Sequence, residues 1–428
     1  MLPEKQKKRL IMNSSPSSTK LKIGILSYRS NPHCGGQGVY VRNLSRALSN
    51  LGHNVEVISG PGDPMLFPGS TLTKIPTLDL YNPDDLFRTP SFNELRNPIN
   101  FMEWFGISTM GYSEPFTFGL RAHRYLRTKL DKFDIIHDNQ CLAFSMLSLA
   151  NKIPLVSTIH HPITVDRKIA VQSTRSYFKK MKHLRWYSFI SMQKYVARRL
   201  KNIITVSEFS QKDIAKEFKI PSKTITPIPL GIDTDLFYPM SDVKKEPDRL
   251  IVTNSADTAL KGLYHLLQAV KEISKKRKIK LVVIGTPKKN GGIEKLIKKL
   301  QLKEHVTFTG RVDHTRFIKE YALASIAVVP SLYEGFGLPA GEAMACKTPL
   351  ISTTGGALPE VTGNAAKLVP PGDAKALENA ILELLDDSDQ REQLADAGYK
   401  RIIKHFTWEN TAIKTIEAYK KAIADFNQ

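Results

Sequence analysis

Cysteine is scarce in this chain, which has only Cys34, Cys141 and Cys346, odd in number and far apart. That excludes a disulfide framework and a cysteine-based metal cluster, and it points to reduced thiols in a cytosolic compartment. Long apolar runs are also missing. The stretch Ala322 to Pro330 is among the longest, well short of the roughly 20 residues that span a bilayer. Residues 1–19 carry only Leu10-Ile-Met12 as an apolar core beside Ser15-Pro-Ser-Ser18. They read as a disordered tail and not as a signal peptide. Acidic residues are lacking locally. Residues 167–201 hold eleven Lys or Arg and no Asp or Glu, and residues 275–303 hold eleven against Glu294 alone. Together the two stretches account for the formal net charge of +21, which bears on anionic partners and not on fold. There is no aromatic RNP motif, zinc knuckle or helix-turn-helix signature, so the charge does not point to nucleic acid. No His, Asp and Cys stand at metal-ligand spacing, so no metal is expected.

What is present has the size of an enzyme with two cores. The 428 residues are 41% hydrophobic and 24% charged, too many for one ordinary core, and two domains of about 200 residues are expected. Lys22 to Leu26 reads as a buried strand. Gly35-Gly36-Gln-Gly38 follows, then Val41, Leu44, Leu48 and Leu51 at helical spacing, and a second strand at Val55 to Ile58. That is one βαβ unit. Further strands are expected at 133–136, 155–159 and 203–206, and a second series at 249–252, 280–284, 306–308, 326–329 and 350–352. Parallel, helix-covered sheets are the economical reading. The predicted boundaries are 20–229 plus 408–428 for the first domain, 230–248 for a proline-rich linker, and 249–407 for the second. Residues 60–130 lack sustained periodicity and read as loops that recognise an acceptor.

The strongest chemical signal is Ser331-Leu-Tyr-Glu334-Gly-Phe-Gly-Leu-Pro-Ala-Gly-Glu342. A strand precedes it and a helix follows, so Glu334 would stand at a strand's carboxyl end, where open α/β sheets bind ligands. The amides opening the helix could hold an anion, and Glu342 would lie about one turn inside. Lys261-Gly262 follows another strand, where an ammonium and amides together can grip a diphosphate. Residues 167–201 interleave their cations with Tyr177, Phe178, Trp186, Tyr187 and Phe189. As one helix they would form a basic amphipathic segment. Such a segment fits an anionic membrane surface, and equally a partly buried helix with a solvated cationic face.

Glu334 to Glu342 is similar to the E-x7-E signature of family 4 retaining glycosyltransferases. Thr354-Gly355-Gly356-Ala-Leu-Pro-Glu360, Phe308-Thr-Gly310 and Gly35-Gly36 match that family in order and spacing. The resemblance covers roughly residues 20–428. It implies an α/β protein of GT-B architecture, with two Rossmann-like domains facing across a donor/acceptor cleft. It further implies a cytoplasmic enzyme, metal-independent and peripheral to the inner membrane face if residues 167–201 bind lipid. Such an enzyme would move a sugar from a nucleotide-diphosphate sugar to a hydroxyl of a glycan or lipid-linked acceptor.

By the same resemblance, Glu342 would bind the donor ribose and Glu334 would lie near the anomeric carbon, as nucleophile or as electrostatic support. The amides of Phe336, Gly337 and Leu338 would meet the sugar and diphosphate. Lys261 would neutralise the diphosphate, with another cation such as Arg311 replacing the arginine absent at Ala256, and Gly35 and Gly36 would approach it from the first domain. His160 would lie near the transferred sugar, with His161 as its competitor, while His137 reads as structural. The chain departs from the family at Ala256, where an arginine is usual. Two competitors stay open: a nucleotide-sugar epimerase or hydrolase of the same fold, and a basic nucleic-acid-binding protein.

Overall fold

A computed structural model describes residues 20–32, 36–82, 85, 88–172, 174, 176–253 and 258–428. Residues 1–19, Gly35 and Ala256, on which readings were made above, lie outside the described residues. Among the described residues the apolar, β-branched runs form thirteen strands. They are β1 (Lys22–Ser27), β2 (Asn54–Ser59), β3 (Ser70–Lys74), β4 (Ile135–Asn139), β5 (Leu155–Ile159), β6 (Ile203–Thr205) and β7 (Ile225–Pro227), followed by β8 (Arg249–Thr253), β9 (Lys280–Ile284), β10 (Val306–Phe308), β11 (Ile326–Val329), β12 (Leu350–Thr353) and β13 (Lys367–Val369). They make two sheets, ordered β3-β2-β1-β4-β5-β6-β7 and β10-β9-β8-β11-β12-β13. Strand pairing is parallel in both, with Ile23 opposite Ile135 in the first and Ala327 opposite Ile251 in the second. Each sheet contains the Rossmann order, in which the direction of winding reverses beside the first strand. The reversals fall between β1 and β4 and between β8 and β11.

Three departures from the sequence reading have physical causes. The fourth strand runs on through His137, Asp138 and Asn139, which the apolar pattern does not mark as strand. All three are buried, and each finds a partner. His137 Nδ1 lies 2.6 Å from Tyr419 Oη, and Asp138 accepts from the amides of Cys141 and Leu142. Residues 60–130 are not simply loops. They hold β3 and the helices Phe92–Leu95, Pro98–Ser108 and Glu114–Leu126. In the last of these Phe118, Ala122 and Leu126 are fully buried at i, i+4 and i+8, the stripe that docks a helix on a sheet. Nor is 167–201 one helix: it divides into Thr164–Gln172, Tyr177–Trp186, a 3-10 turn at Tyr187–Phe189, and Ile190–Ala197. Met192 and Val196 sit in the first sheet's core, so the single apolar face expected there does not exist.

The chain crosses between the sheets twice, and the crossings lie side by side. Ile232 N–H donates to the Phe406 carbonyl at 2.8 Å, and Ile232 bridges Thr407. The final helix, Trp408–Asn427, then returns to the first sheet's side and packs on Gly36–Asn50. Its buried residues Trp408, Ala412, Thr415, Ile416, Tyr419 and Ala422 repeat at helical spacing. Large side chains buried in this way contribute about 1.5–3 kcal/mol each. One hydrophobic cluster therefore runs through both halves by way of Ile228, Ile232, Phe406 and Trp408.

Candidate active site

Both winding reversals leave a crevice at the strands' carboxyl ends, and the described predicted residues gather there, apart from Arg311. On the second sheet, Lys261 lies in the turn after β8 and Glu334 in the loop after β11. Gly262 has φ +68°, and a Cβ there would stand 1.8 Å from the Pro330 carbonyl oxygen. Only glycine lets the Lys261 turn press against the end of β11. Lys261 Nζ donates to Glu334 Oε1 at 2.6 Å, and Ser331 Oγ donates to the same oxygen at 2.8 Å. The pair is only partly buried, with side chains 29% and 11% exposed, a charge-assisted contact of order 1.5–3 kcal/mol. The Thr354-Gly355-Gly356 turn supports the loop from below. Ala357 N–H donates to the Glu334 carbonyl at 2.9 Å, and a Cβ on Gly356 would stand 2.2 Å from that oxygen.

Gly337 starts the helix Leu338–Ala345 from a left-handed conformation, φ +105°. Phe336 turns its ring into the core against Phe406. The N–H groups of Phe336 and Gly337 have no acceptor among the described residues. The carboxylate of Glu342, one turn into the helix, has no hydrogen-bond donor among them either. Burial pushes its carboxyl up to about 7; Lys261 opposes the shift and Glu334 adds to it. The result is a lysine, two carboxylates and open amides within one crevice. Arg311 is not joined to them. It is exposed on the loop after β10, two strands from β8, which amounts to roughly 10 Å across the sheet.

On the first sheet, His160 directly follows β5. Its Nε2 lies 2.7 Å from Asn139 Oδ1, its N–H donates to Gln140 Oε1 at 2.8 Å, and Tyr40 packs edge-on at 4.9 Å. Burial, and then His161 and His137, lower its pKa to about 3, which favours the neutral ring. His161 is held otherwise, with Nε2 2.8 Å from Asp166 Oδ2. Gly36 is exposed at a helix start and a Cβ there would meet nothing within 4 Å. Its neighbour Gln37 offers a carbonyl to Asn139 Nδ2 at 3.5 Å, which ties the glycine loop to His160's partner. Gly38 is the tightly packed glycine, its hypothetical Cβ 2.4 Å from the Asn31 carbonyl oxygen.

The two sides meet directly. A Cβ on Gly335 would be 3.0 Å from the His160 carbonyl oxygen and 3.2 Å from His161 Cβ. Residues that sequence reasoning gave no role complete the contact: Ser207, Ser210, Asp213, Tyr333 and Glu360. Glu360 stands in a motif already quoted, but nothing in sequence says that it faces the other sheet. A cavity of about 510 Å³, lined by residues including Lys74, Leu78, Asn97, Arg121 and Tyr125, lies beside β3 and includes none of the predicted site residues. Among the described residues no three His, Cys, Asp or Glu are grouped as metal ligands.

Two Rossmann-ordered sheets meeting across a crevice of this make-up form the GT-B architecture, and the protein is a nucleotide-sugar-dependent glycosyltransferase. More particularly, the chain belongs to the family 4 glycosyltransferases. Residues 34–236 match the model for Glycosyltransferase Family 4 and residues 239–401 that for Glycosyl transferases group 1. It is 43% identical over 409 residues to the MMP alpha-(1->4)-mannosyltransferase of Mycolicibacterium hassiacum, covering 94% of this chain and 99% of that one. Among solved structures it is similar in fold to sucrose-phosphate synthase from Thermosynechococcus elongatus, with TM-score 0.73, 24% identity, and coverage of 94% and 100%. Anabaena HepE, solved with UDP and glucose, has TM-score 0.67 at 15% identity, with the same coverage.

Proposed function

We propose that this enzyme transfers a hexose, with mannose as the first candidate, from a nucleotide-diphosphate sugar to a hydroxyl of a sugar acceptor, retaining the anomeric configuration. The observation that carries the reading is the Lys261–Glu334 pair beside Glu342 and the open amides of Phe336 and Gly337, facing His160 across the crevice. The 43% identity to a mannosyltransferase supports the choice of sugar.

Each group then has work suited to its chemistry. Glu342 accepts the two ribose hydroxyls, while Lys261 divides its protons between Glu334 and the diphosphate. The open amides take the remaining phosphate and sugar oxygens. As the bond from the anomeric carbon to the diphosphate oxygen breaks, positive charge grows on the sugar beside Glu334 and negative charge on the diphosphate beside Lys261. The acceptor oxygen bonds the anomeric carbon on the face that the diphosphate leaves, and its proton passes to the departing oxygen. His160, whose burial favours the neutral ring, is suited to orienting the sugar and not to acting as the acid.

The acceptor side is aromatic. Tyr112 stacks on Trp186 at 5.1 Å, Tyr81 meets both rings, and Arg29 pairs with Glu114 beneath them. Such rings suit sugar faces. The helix Tyr177–Trp186 leaves Tyr177 and Phe178 more than 70% exposed, with Lys179 and Lys182 also exposed. Arg185 joins it to Thr109 at the end of Pro98–Ser108, whose Phe101 and Phe105 are exposed as well. This paired surface fits an anionic membrane better than one helix would. No helix among the described residues is long and apolar enough to cross a membrane.

Incubation of the protein with GDP-mannose or UDP-glucose and a mannoside acceptor tests the main reading. A new α-glycoside by mass and NMR is the expected product; an isomerised nucleotide sugar or free hexose alone would overturn it. For the membrane surface, neutralising Lys179, Lys180 and Lys182 should reduce co-sedimentation with phosphatidylserine vesicles, and unchanged sedimentation would refute it.

A further inference from the structure

We propose that Ser207 and Ser210 are positioning residues that couple closure of the cleft to the aim of one donor-binding amide. The proposal rests on the nucleotide-sugar reading of the site. Ser207 Oγ donates to the Gly335 carbonyl at 2.7 Å and Ser210 Oγ to the same oxygen at 3.0 Å. Both serines are buried. They sit where β6 passes into the helix Glu208–Phe218, whereas Gly335 belongs to the loop after β11 on the opposite sheet.

Two donors occupy both lone pairs of that carbonyl and fix the plane of its peptide. The peptide is trans, so the N–H of Phe336 points opposite to the Gly335 carbonyl, away from the serines. That N–H has no acceptor among the described residues, although Phe336 is only 5% exposed. Buried amides are rarely left unpaired, and one that is calls for a ligand. It is one of the two open amides in this loop, two residues from Glu334. First-domain hydroxyls thus aim a second-domain donor group.

The same helix carries a second clamp. The Glu360 carboxylate accepts the N–H groups of Glu208 at 2.9 Å and Phe209 at 2.6 Å, and Tyr333 Oη donates to Asp213 at 2.9 Å. A carboxylate at a helix N-terminus is favoured by the dipole and by unpaired amides. These contacts hold the sheets together without touching the Gly335 peptide. If the sheets part, the Gly335 carbonyl loses both donors, and a peptide with glycine at 335 and 337 on either side of Phe336 turns easily. The amide is then aimed only in the closed enzyme, when donor and acceptor are both in place.

Ser210→Ala is the cleaner test, because Ser207 also caps its helix by accepting from Ser210 N–H. With whichever of GDP-mannose and UDP-glucose the wild type turns over, kcat should fall about 10-fold while the donor KM stays within about threefold. Ser210→Thr keeps a hydroxyl and should regain at least half of the wild-type kcat. Glu360→Ala weakens only the clamp and should lower kcat less than Ser210→Ala does. A Ser210→Ala enzyme with more than half of the wild-type kcat, or one whose loss lies in KM alone, would overturn the proposal. Hydrogen exchange reads the same point without turnover. Ala340 and Gly341 amides bond the Gly337 carbonyl, and their exchange should quicken in Ser210→Ala; unchanged exchange counts against it. A wild type inactive with every donor would instead sink the functional reading and leave this exchange result to judge the serines.

Discussion

On the second-domain side of the cleft the polar groups are charged and partly unsatisfied, whereas on the first-domain side the histidines at the strand ends are neutral and hydrogen-bonded to their neighbours. Lys261 and Glu334 form an ion pair, the Glu342 carboxylate has no hydrogen-bond donor among the described residues, and the amides of Phe336 and Gly337 are open. Facing them, His160 is bonded to Asn139 and Gln140, and behind it His137 bridges Tyr419 and Thr158. Burial holds both histidines near pKa 3. The difference fits the ligands proposed for each side. A nucleotide diphosphate brings negative charge and hydroxyls that complete open groups, so its site is left incomplete. A sugar is neutral and is recognised by shape, so its side is finished in advance.

The largest expected effect attacks the charged side. Glu334→Gln keeps the size and the Ser331 contact but removes the charge proposed to stand beside the anomeric carbon. Transfer should fall about 10³-fold, in the range for losing an electrostatic stabiliser, with an unchanged circular dichroism spectrum. Near-normal turnover would break the assignment. Lys261→Ala should cost about 100-fold in kcat/KM, since Glu334 is then left without its cation and the diphosphate without its nearest ammonium. If Arg311→Ala costs as much, the charge at this side is shared across a wider arc of the sheet than the Lys261–Glu334 pair.

The charged side was also the more legible in sequence. Glu334, Glu342, Lys261 and the glycine turns stand in short contiguous motifs, each following an apolar strand, and strand ends fix position. The ten expected strands are present, while β3, β7 and β13 escaped because they are short or half-exposed. The neutral side depends on pairs 20 to almost 300 residues apart, such as His160 with Asn139 and His137 with Tyr419, which no spacing rule connects. Ser207 and Ser210 were hidden for the same reason, because their partner is a backbone carbonyl on the other sheet. The long amphipathic helix at 167–201 failed because periodicity cannot see the break at Tyr187–Phe189.

A smaller effect sharpens the comparison through pH. The Glu342 carboxyl, raised to about 7 by burial, is ionised only above neutrality, and its ionisation costs folded stability as pH rises from the ordinary carboxylate range towards 7. Ribose hydroxyls favour the ionised form, so nucleotide binding should tighten as pH rises through 7 and release a proton below it. Calorimetry with GDP and UDP in buffers of different ionisation enthalpy measures this. Glu342→Gln should bind about 10-fold more weakly at pH 8 and show little pH dependence. A variant with the wild-type pH profile would move the titration to another group.

The smallest effect tests whether the neutral side is finished in advance or takes part in turnover. Tyr419→Phe removes the hydroxyl 2.6 Å from His137 Nδ1 and leaves a buried ring nitrogen unpaired, a cost of about 1–3 kcal/mol. Because His137 is held neutral with its pKa well below the ordinary value, the unfolded chain binds a proton that the folded one refuses. Stability should therefore rise with pH between about 3 and 6.5 in the wild type. The variant should melt a few degrees lower at pH 7 while kcat stays within about twofold, because His137 holds the C-terminal helix to the sheet and touches no substrate in this scheme. Tyr40 closes the path from that network to the cleft, bonding Thr158 at 3.1 Å and packing on His160. A fall in kcat larger than the stability loss explains would mean that strain passes along this path, and the first-domain side would then be part of the catalytic apparatus and not its fixed wall.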